Sequence, residues 1–306
     1  MTSRLLLALA VASVVACGPP PEDRLPQGAS KPVPCPPPPE PSQQSVVVGT
    51  IGKLHLAESR YPLTRLGDVL FGFKPDLILL AVRPEPFREG RLEDASFEMT
   101  YVRHLAQRHN VPVEPIDWFR EQDLGTAPPP VEPWDAVEIA KRDASVLAAP
   151  KLLSFEQANG APFEETVFFA MNAEVRNRAG NPSLSRRQAW VAHLAGSAVT
   201  RHGKPKRVLA FVDVFDRPNV DFVLRGMGYA AQAPADIVQK SKEAALPEVP
   251  HDLIAEYQKE LERARAHAEK SEGVARTFWA ERAHVLSVVV EQKAACCVSQ
   301  AALTAR

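Results

Sequence analysis

The sequence predicts an α/β fold: a small, mainly parallel sheet covered by helices, with a helical insert and a helical C-terminal extension. Two observations carry this expectation. Between residues 45 and 116, apolar runs of strand length alternate with helical stretches in the order β-α-β-α-β, the pattern of parallel strands joined by crossovers. The second run, Asp76 to Val82 (DLILLAV), is continuously apolar, as in strands covered on both faces.

Each element has its own reason. Ser45 to Ile51 (SVVVGTI) is rich in β-branched residues and reads as a strand. Pro62 to Phe71 places Leu63, Leu66, Val69 and Leu70 at helical spacing, with Pro62 early, where its missing donor costs little. Phe97 to His109 is helical, with Met99, Val102, Leu105 and Ala106 on one side, and Val111 to Ile116 is a third strand. Beyond a proline-rich break at 125–133, helices are expected at Trp134–Ala149, Phe163–Ala179 and Leu184–Arg201. Arg207 to Val212 (RVLAFV) is a fourth strand, followed by a short helix from Pro218 to Arg225.

The C-terminal part reads as helical. Leu253, Ile254, Tyr257 and Leu261 form one stripe, and Phe278, Leu286, Val289 and Val290 continue the pattern. Lys259, Glu260, Glu262 and Arg263 between them are expected on a solvated face.

The N-terminus has a different character. Arg4 precedes a 12-residue apolar run, Leu5 to Ala16, too short for a helix across a bilayer but suited to a signal peptide. The run ends in Val14-Val15-Ala16-Cys17, which resembles a bacterial lipoprotein lipobox. The resemblance implies cleavage before Cys17 and lipidation of that residue. Gly18 in the following position implies the outer membrane. Residues 18–44 hold 11 prolines in 27 residues, a composition that favours extended polyproline II and builds no core. At about 3.1 Å per residue such a tether reaches roughly 80 Å. The expected organisation is a signal peptide at 1–16, a lipidated tether at 17–44, an α/β domain at 45–232 and a helical extension at 233–306.

Composition narrows the function classes. A formal charge of -1 and a pI near 6.7 give no sign of a nucleic-acid binder. The four cysteines, Cys17, Cys35, Cys296 and Cys297, exclude a disulfide-dense scaffold and paired zinc-ribbon motifs. After lipidation three remain, and Cys296 or Cys297 can pair with Cys35 or with another chain. No Walker A, Gly-x-Ser-x-Gly or His-Glu-x-x-His motif is present.

Several short segments stand in a telling order: Gly49-Thr50-Ile51 at a strand end, Tyr61-Pro62-Leu63 at a helix start, Lys74-Pro75-Asp76-Leu77-Ile78-Leu79-Leu80, Glu174-Val175-Arg176-Asn177-Arg178 on a helix, and Arg207 to Val212. Residues 45–232 thereby resemble the TraB/PrgY/GumN family, also called Tiki-like. The resemblance implies a metal-dependent peptidase or an inhibitor of peptide signals. Its expected site has two Gly-x-x-His motifs after strands, a glutamate after the second strand and an arginine on the middle helix. Imidazoles and carboxylate would hold a divalent metal that activates water.

This chain departs from that pattern. Gly52 stands at the first histidine position and Ala81 at the glutamate, and the second motif is Asp213-Val214-Phe215-Asp216. The nearest substitutes are His55 and Glu85. His55 is either a loop histidine or a site residue, and Glu85 lies in Arg83-Pro84-Glu85-Pro86, expected as a rigid loop. Asp213 and Asp216 can face the crevice, or Asp216 can cap the helix that begins with Arg217-Pro218. Arg176 and Arg178 form surface ion pairs or line the inherited cleft. A site of carboxylates alone would favour hard ions such as Mg²⁺ or Ca²⁺ over Zn²⁺. The expectation is therefore a catalytically degenerate domain without a cofactor, binding a peptide or protein ligand. The alternative is a divergent metal-dependent hydrolase with His55, Asp213 and Asp216 as metal ligands and Glu85, Arg176 and Arg178 as catalytic groups.

Overall fold

The computed structural model describes residues 43–119, 132–147, 153–167, 169, 182–238, 249–293 and 303. Cys17, Cys35, Arg176, Arg178, Cys296 and Cys297 lie outside the described residues. The described residues belong to one unit, Pro41–Arg306.

Five parallel strands form one sheet: β1 (Gln44–Thr50), β2 (Leu77–Leu80), β3 (Val113–Pro115), β4 (Arg207–Asp213) and β5 (Ala230–Gln232), in the order β3-β2-β4-β1-β5. The fold class is the one the sequence predicts. The apolar strands earn their central places: β2 is buried along its whole length, and β4 is buried from Val208 to Val212.

Side chains alternate between two cores, as the two-residue period of a strand requires. Val46, Val48, Ile78, Leu80, Leu209 and Phe211 face one core, and Val47, Leu77, Leu79, Val208, Ala210 and Val212 face the other. Helices α1 (Thr64–Phe73) and α3 (Phe97–Arg108) cover the first face. The C-terminal pair α10 (His251–Lys270) and α11 (Gly273–Gln292) joins the same core through Tyr257, Trp279 and Val289. Helices α7 (Pro182–Arg201) and α8 (Arg217–Gly226) cover the second face. This division follows from connection hand. The chain steps one way along the sheet from β1 to β3 and the other way from β3 through β4 to β5, so right-handed crossovers place their helices on opposite faces.

Among the described residues the other helices are the 15-residue α4 (Pro133–Leu147) and the short α2 (Pro84–Arg88), α5 (Phe155–Ala158), α6 (161–167) and α9 (Pro234–Val238). Helix α5 starts with a full capping box: Ser154 Oγ accepts from Gln157 N and Gln157 Oε1 accepts from Ser154 N. Helix α9 packs on α1 at Gly72, where a Cβ would meet the Ile237 carbonyl oxygen at 2.9 Å.

Two sequence expectations are corrected here. The Arg83–Pro86 segment is the start of helix α2, not a loop, because Pro84 and Pro86 fall in its first turn, where no intrahelical donor is needed. Glu260 is buried, not solvated: α10 is flanked by α3 on one side and α11 on the other, and Thr100 Oγ1 donates to the Glu260 carboxylate at 2.9 and 3.1 Å.

Candidate functional site

In an open α/β sheet, ligands bind beyond the carboxyl ends of the strands where the connection direction reverses. That point is the junction of β1 and β4. Chain leaves β1 toward β2 and leaves β4 toward β5, and the two strands are neighbours whose last residues, Thr50 and Asp213, lie opposite each other. In a parallel pair, opposed residues point to the same face, so Thr50 and Asp213 share the face of α1 and α3.

Burial pushes the Asp213 carboxyl up to about 7, helped by the nearby Asp216 carboxylate. The Phe215 N–H, donating to Asp213 Oδ1 at 2.9 Å, works in the opposite direction. The Asp213 carboxyl thus titrates near neutral pH, far above an ordinary carboxylate. Thr50 Oγ1 and Glu98 Oε2 are buried without a hydrogen-bond partner among the described residues. The Glu98 charge acts on Asp213, His55 and Tyr61, which places this carboxylate within electrostatic reach of the β1 and β4 strand ends.

Asp216 occupies the N-cap position of α8, yet its side chain makes no cap bond. Both its oxygens accept instead from Arg187 of α7, at 2.9 and 2.7 Å. The same guanidinium bonds Asp117, just past β3, at 3.0 and 3.1 Å. Burial opposes the charge of Arg187, but the carboxylates of Asp216 and Asp117 outweigh it and raise its pKa. A two-carboxylate, one-guanidinium clamp therefore ties the ends of β3 and β4 to α7.

His55 sits in a 3-10 turn (Gly52–Leu56) immediately after β1 and is fully buried. Ile51 N donates to its Nε2 at 3.2 Å, and its Nδ1 lies 2.9 Å from the Tyr61 carbonyl oxygen. The neutral tautomer with the proton on Nδ1 satisfies both contacts, and burial lowers its pKa in agreement. The imidazole thus pins the turn that follows β1. Tyr61 continues the knot: its hydroxyl donates to Gly49 O at 2.7 Å and accepts from Asn159 Nδ2 at 3.3 Å, while Gly49 N donates to Asn159 Oδ1 at 2.8 Å.

These side chains also finish the edge of β1. Strand β5 pairs only as far as Val46. Beyond it, Arg217 Nε donates to Val47 O at 3.1 Å and Asn159 takes the Gly49 N–H, so side chains satisfy the backbone groups a longer β5 would have paired.

The sequence candidates are thus distributed unevenly. Asp213 and Asp216 come together at the switch point. His55 lies on the same sheet edge with both ring nitrogens engaged by backbone. Glu85 is exposed in the first turn of α2. Arg187, Asp117, Glu98 and Asn159 were not singled out by sequence reasoning, and only the position of Asp117 directly after a strand offered a signal.

The positions where the resemblance expects metal ligands offer few free donors among the described residues. Gly52 and Ala81 carry no donor, His55 offers no free nitrogen, and Asp216 is neutralised by Arg187. Among the described residues no group of three His, Cys, Asp or Glu side chains is placed to hold a metal. No family model matches the chain, and no curated protein and no solved structure matches it either.

Proposed function

We propose that the chain is a lipid-anchored protein of the bacterial cell envelope, held at the outer membrane through Cys17, and that its domain is a catalytically degenerate relative of the TraB/PrgY/GumN (Tiki-like) proteins. In this reading it acts as a binding or regulatory module for a peptide or protein ligand, and it needs no cofactor. The carrying observation is the occupation of the would-be ligand groups: Arg187 holds both oxygens of Asp216, and the backbone holds both nitrogens of His55. A side chain committed in this way would have to give up charge-assisted or buried hydrogen bonds to bind a metal.

The test is a metal analysis of the purified protein together with a peptide-library assay, with and without chelator. The expected outcome is substoichiometric metal and no chelator-sensitive cleavage. Metal-dependent cleavage abolished by His55→Ala would overturn the reading. The anchor has a separate test: Cys17→Ser is expected to abolish lipid labelling and membrane fractionation, and a variant that remains lipidated sinks that part.

One observation favours a second reading, a hydrolase. Asp213, whose carboxyl is pushed up to about 7, lies opposite Thr50, whose hydroxyl has no hydrogen-bond partner among the described residues, and such a carboxyl is suited to acid–base work near neutral pH. The same assay with Asp213→Asn separates the two readings, since only a hydrolase loses turnover.

A further inference from the structure

The opposite edge of the sheet, where the five strands begin, is built from four connecting segments: 74–76, 108–112, 201–207 and 225–229. Together they carry seven Lys and Arg residues (Lys74, Arg108, Arg201, Lys204, Lys206, Arg207 and Arg225) against one acid, Asp76. Neighbouring carboxylates pair the arginines: Glu114 with Arg201, Asp76 with Arg207, Asp252 with Arg108, and Asp221 with Arg225. Lys74, Lys204 and Lys206 are exposed and have no ion pair among the described residues. Lys74 closes α1 and also serves the carbonyl end of that helix. Lys204 and Lys206 lie beyond α7, in the turn that leads into β4.

The chain enters the domain at this same edge. Gln43 Nε2 donates to Lys204 O at 3.2 Å, and Gln44 N donates to Lys206 O at 2.7 Å. Gln43 and Gln44 are thus joined to the backbone of the two lysine residues themselves.

We propose that this strand-start edge is a docking surface for anionic phospholipid headgroups, engaged through Lys74, Lys204 and Lys206. The proposal rests on the lipid-anchor reading above. An anchor joined at this edge raises the effective concentration of membrane around it, so a weak charge attraction is enough to hold the domain down. Each lysine near an anionic surface is worth about fivefold in partitioning, and the attraction fades within a Debye length of about 8 Å at physiological salt. Docking in this way leaves the strand ends, with Asp213 and Asp216, turned away from the bilayer.

The test uses the mature chain from residue 17 carrying Cys17→Ser, so that lipid contributes nothing, in co-sedimentation with vesicles of phosphatidylcholine alone or mixed with phosphatidylglycerol. Binding is expected only to the phosphatidylglycerol vesicles, weakened by added salt. It should fall about a hundredfold in the triple variant Lys74→Gln/Lys204→Gln/Lys206→Gln. The control Lys53→Gln/Lys259→Gln/Lys270→Gln removes the same charge elsewhere and is expected to bind like the parent. Equal binding to both vesicle types, an unaffected first variant, or an equal loss in both variants overturns the proposal. So does binding to a soluble anionic polysaccharide with none to vesicles. Because the anchor is tested separately by fractionation, failure of one claim is distinguishable from failure of the other.

Discussion

The two edges of the sheet spend their charges differently. At the strand ends, charged groups are drawn inward: Arg187 between Asp117 and Asp216, Arg83 on Asp94, Arg217 on Val47 O and near Glu164. At the strand starts, charges remain in solvent, in pairs such as Arg207 with Asp76 at 3.9 Å, both partners more than 40% exposed. The cause lies in the connections. The segments that follow β1 and β2, 51–63 and 81–96, are long and bury polar groups such as His55, Glu93 and Asp94. Strand starts receive helices through tight turns such as Gly203-Lys204, whose left-handed residues expose everything they carry. Enclosure makes the first edge a place of high stakes, where a lost partner strands a charge. At the second edge the charges are already in solvent, so single substitutions there cost little.

This contrast can be broken or sharpened by substitution. Arg187→Leu is expected to have the largest effect, a loss of about 3 kcal/mol in chemical denaturation, because it leaves two carboxylates facing each other in a partly buried site. A loss below 1 kcal/mol would place the clamp with ordinary surface pairs. Tyr61→Phe comes next, at about 1–2 kcal/mol, since it removes the buried hydroxyl that Gly49 O and Asn159 share.

Asp213 gives a pH signature. Its folded pKa of about 7 lies above the ordinary value of 3.8, so the folded state holds its proton longer than the unfolded chain. Its contribution to stability is fully present below about pH 4 and is lost as pH rises through 7. Asp213→Asn is expected to flatten that slope, gaining on the order of 1 kcal/mol at pH 8 relative to pH 5 after allowance for residual solvent. A pH profile that keeps the parent slope would exclude Asp213 as its source. At the opposite edge, Arg225→Ala removes a pair whose arginine side chain is 61% exposed, and the midpoint of denaturation should move by less than about 0.5 kcal/mol.

Most of the sheet was legible because continuous apolar runs mark covered strands, as in Leu77–Leu80 and Val208–Val212. Strand β5 was not, because Ala230-Ala231-Gln232 is short, weakly apolar and exists only by pairing with β1. Glu260 misled for a related reason. A helix that touches two neighbours buries more than the single stripe that periodicity reveals, and one residue before Leu261 was enough to enclose a carboxylate. At the site, the sequence located the strand ends and the two aspartates. It gave no sign of Arg187, which looks like any arginine on an amphipathic helix until β3 and β4 bring two carboxylates to it. Nor did it show that the His55 ring is consumed by its own turn, since a side chain bonding backbone four and six residues away leaves no spacing motif.

The strand order carries one more consequence, for how the chain comes to be folded. Strand β4 lies between β1 and β2, although Gln44 and its partner Arg207 are 163 positions apart in the chain. The first three strands therefore have no continuous sheet to form by themselves, and the central slot stays open until the chain beyond residue 207 is available. Pairings this distant in sequence place the molecule among slow, high-contact-order folders. A chain interrupted before β4 would keep the apolar flanks of β1 and β2 exposed as unpaired edges, a state for a chaperone or a protease to resolve.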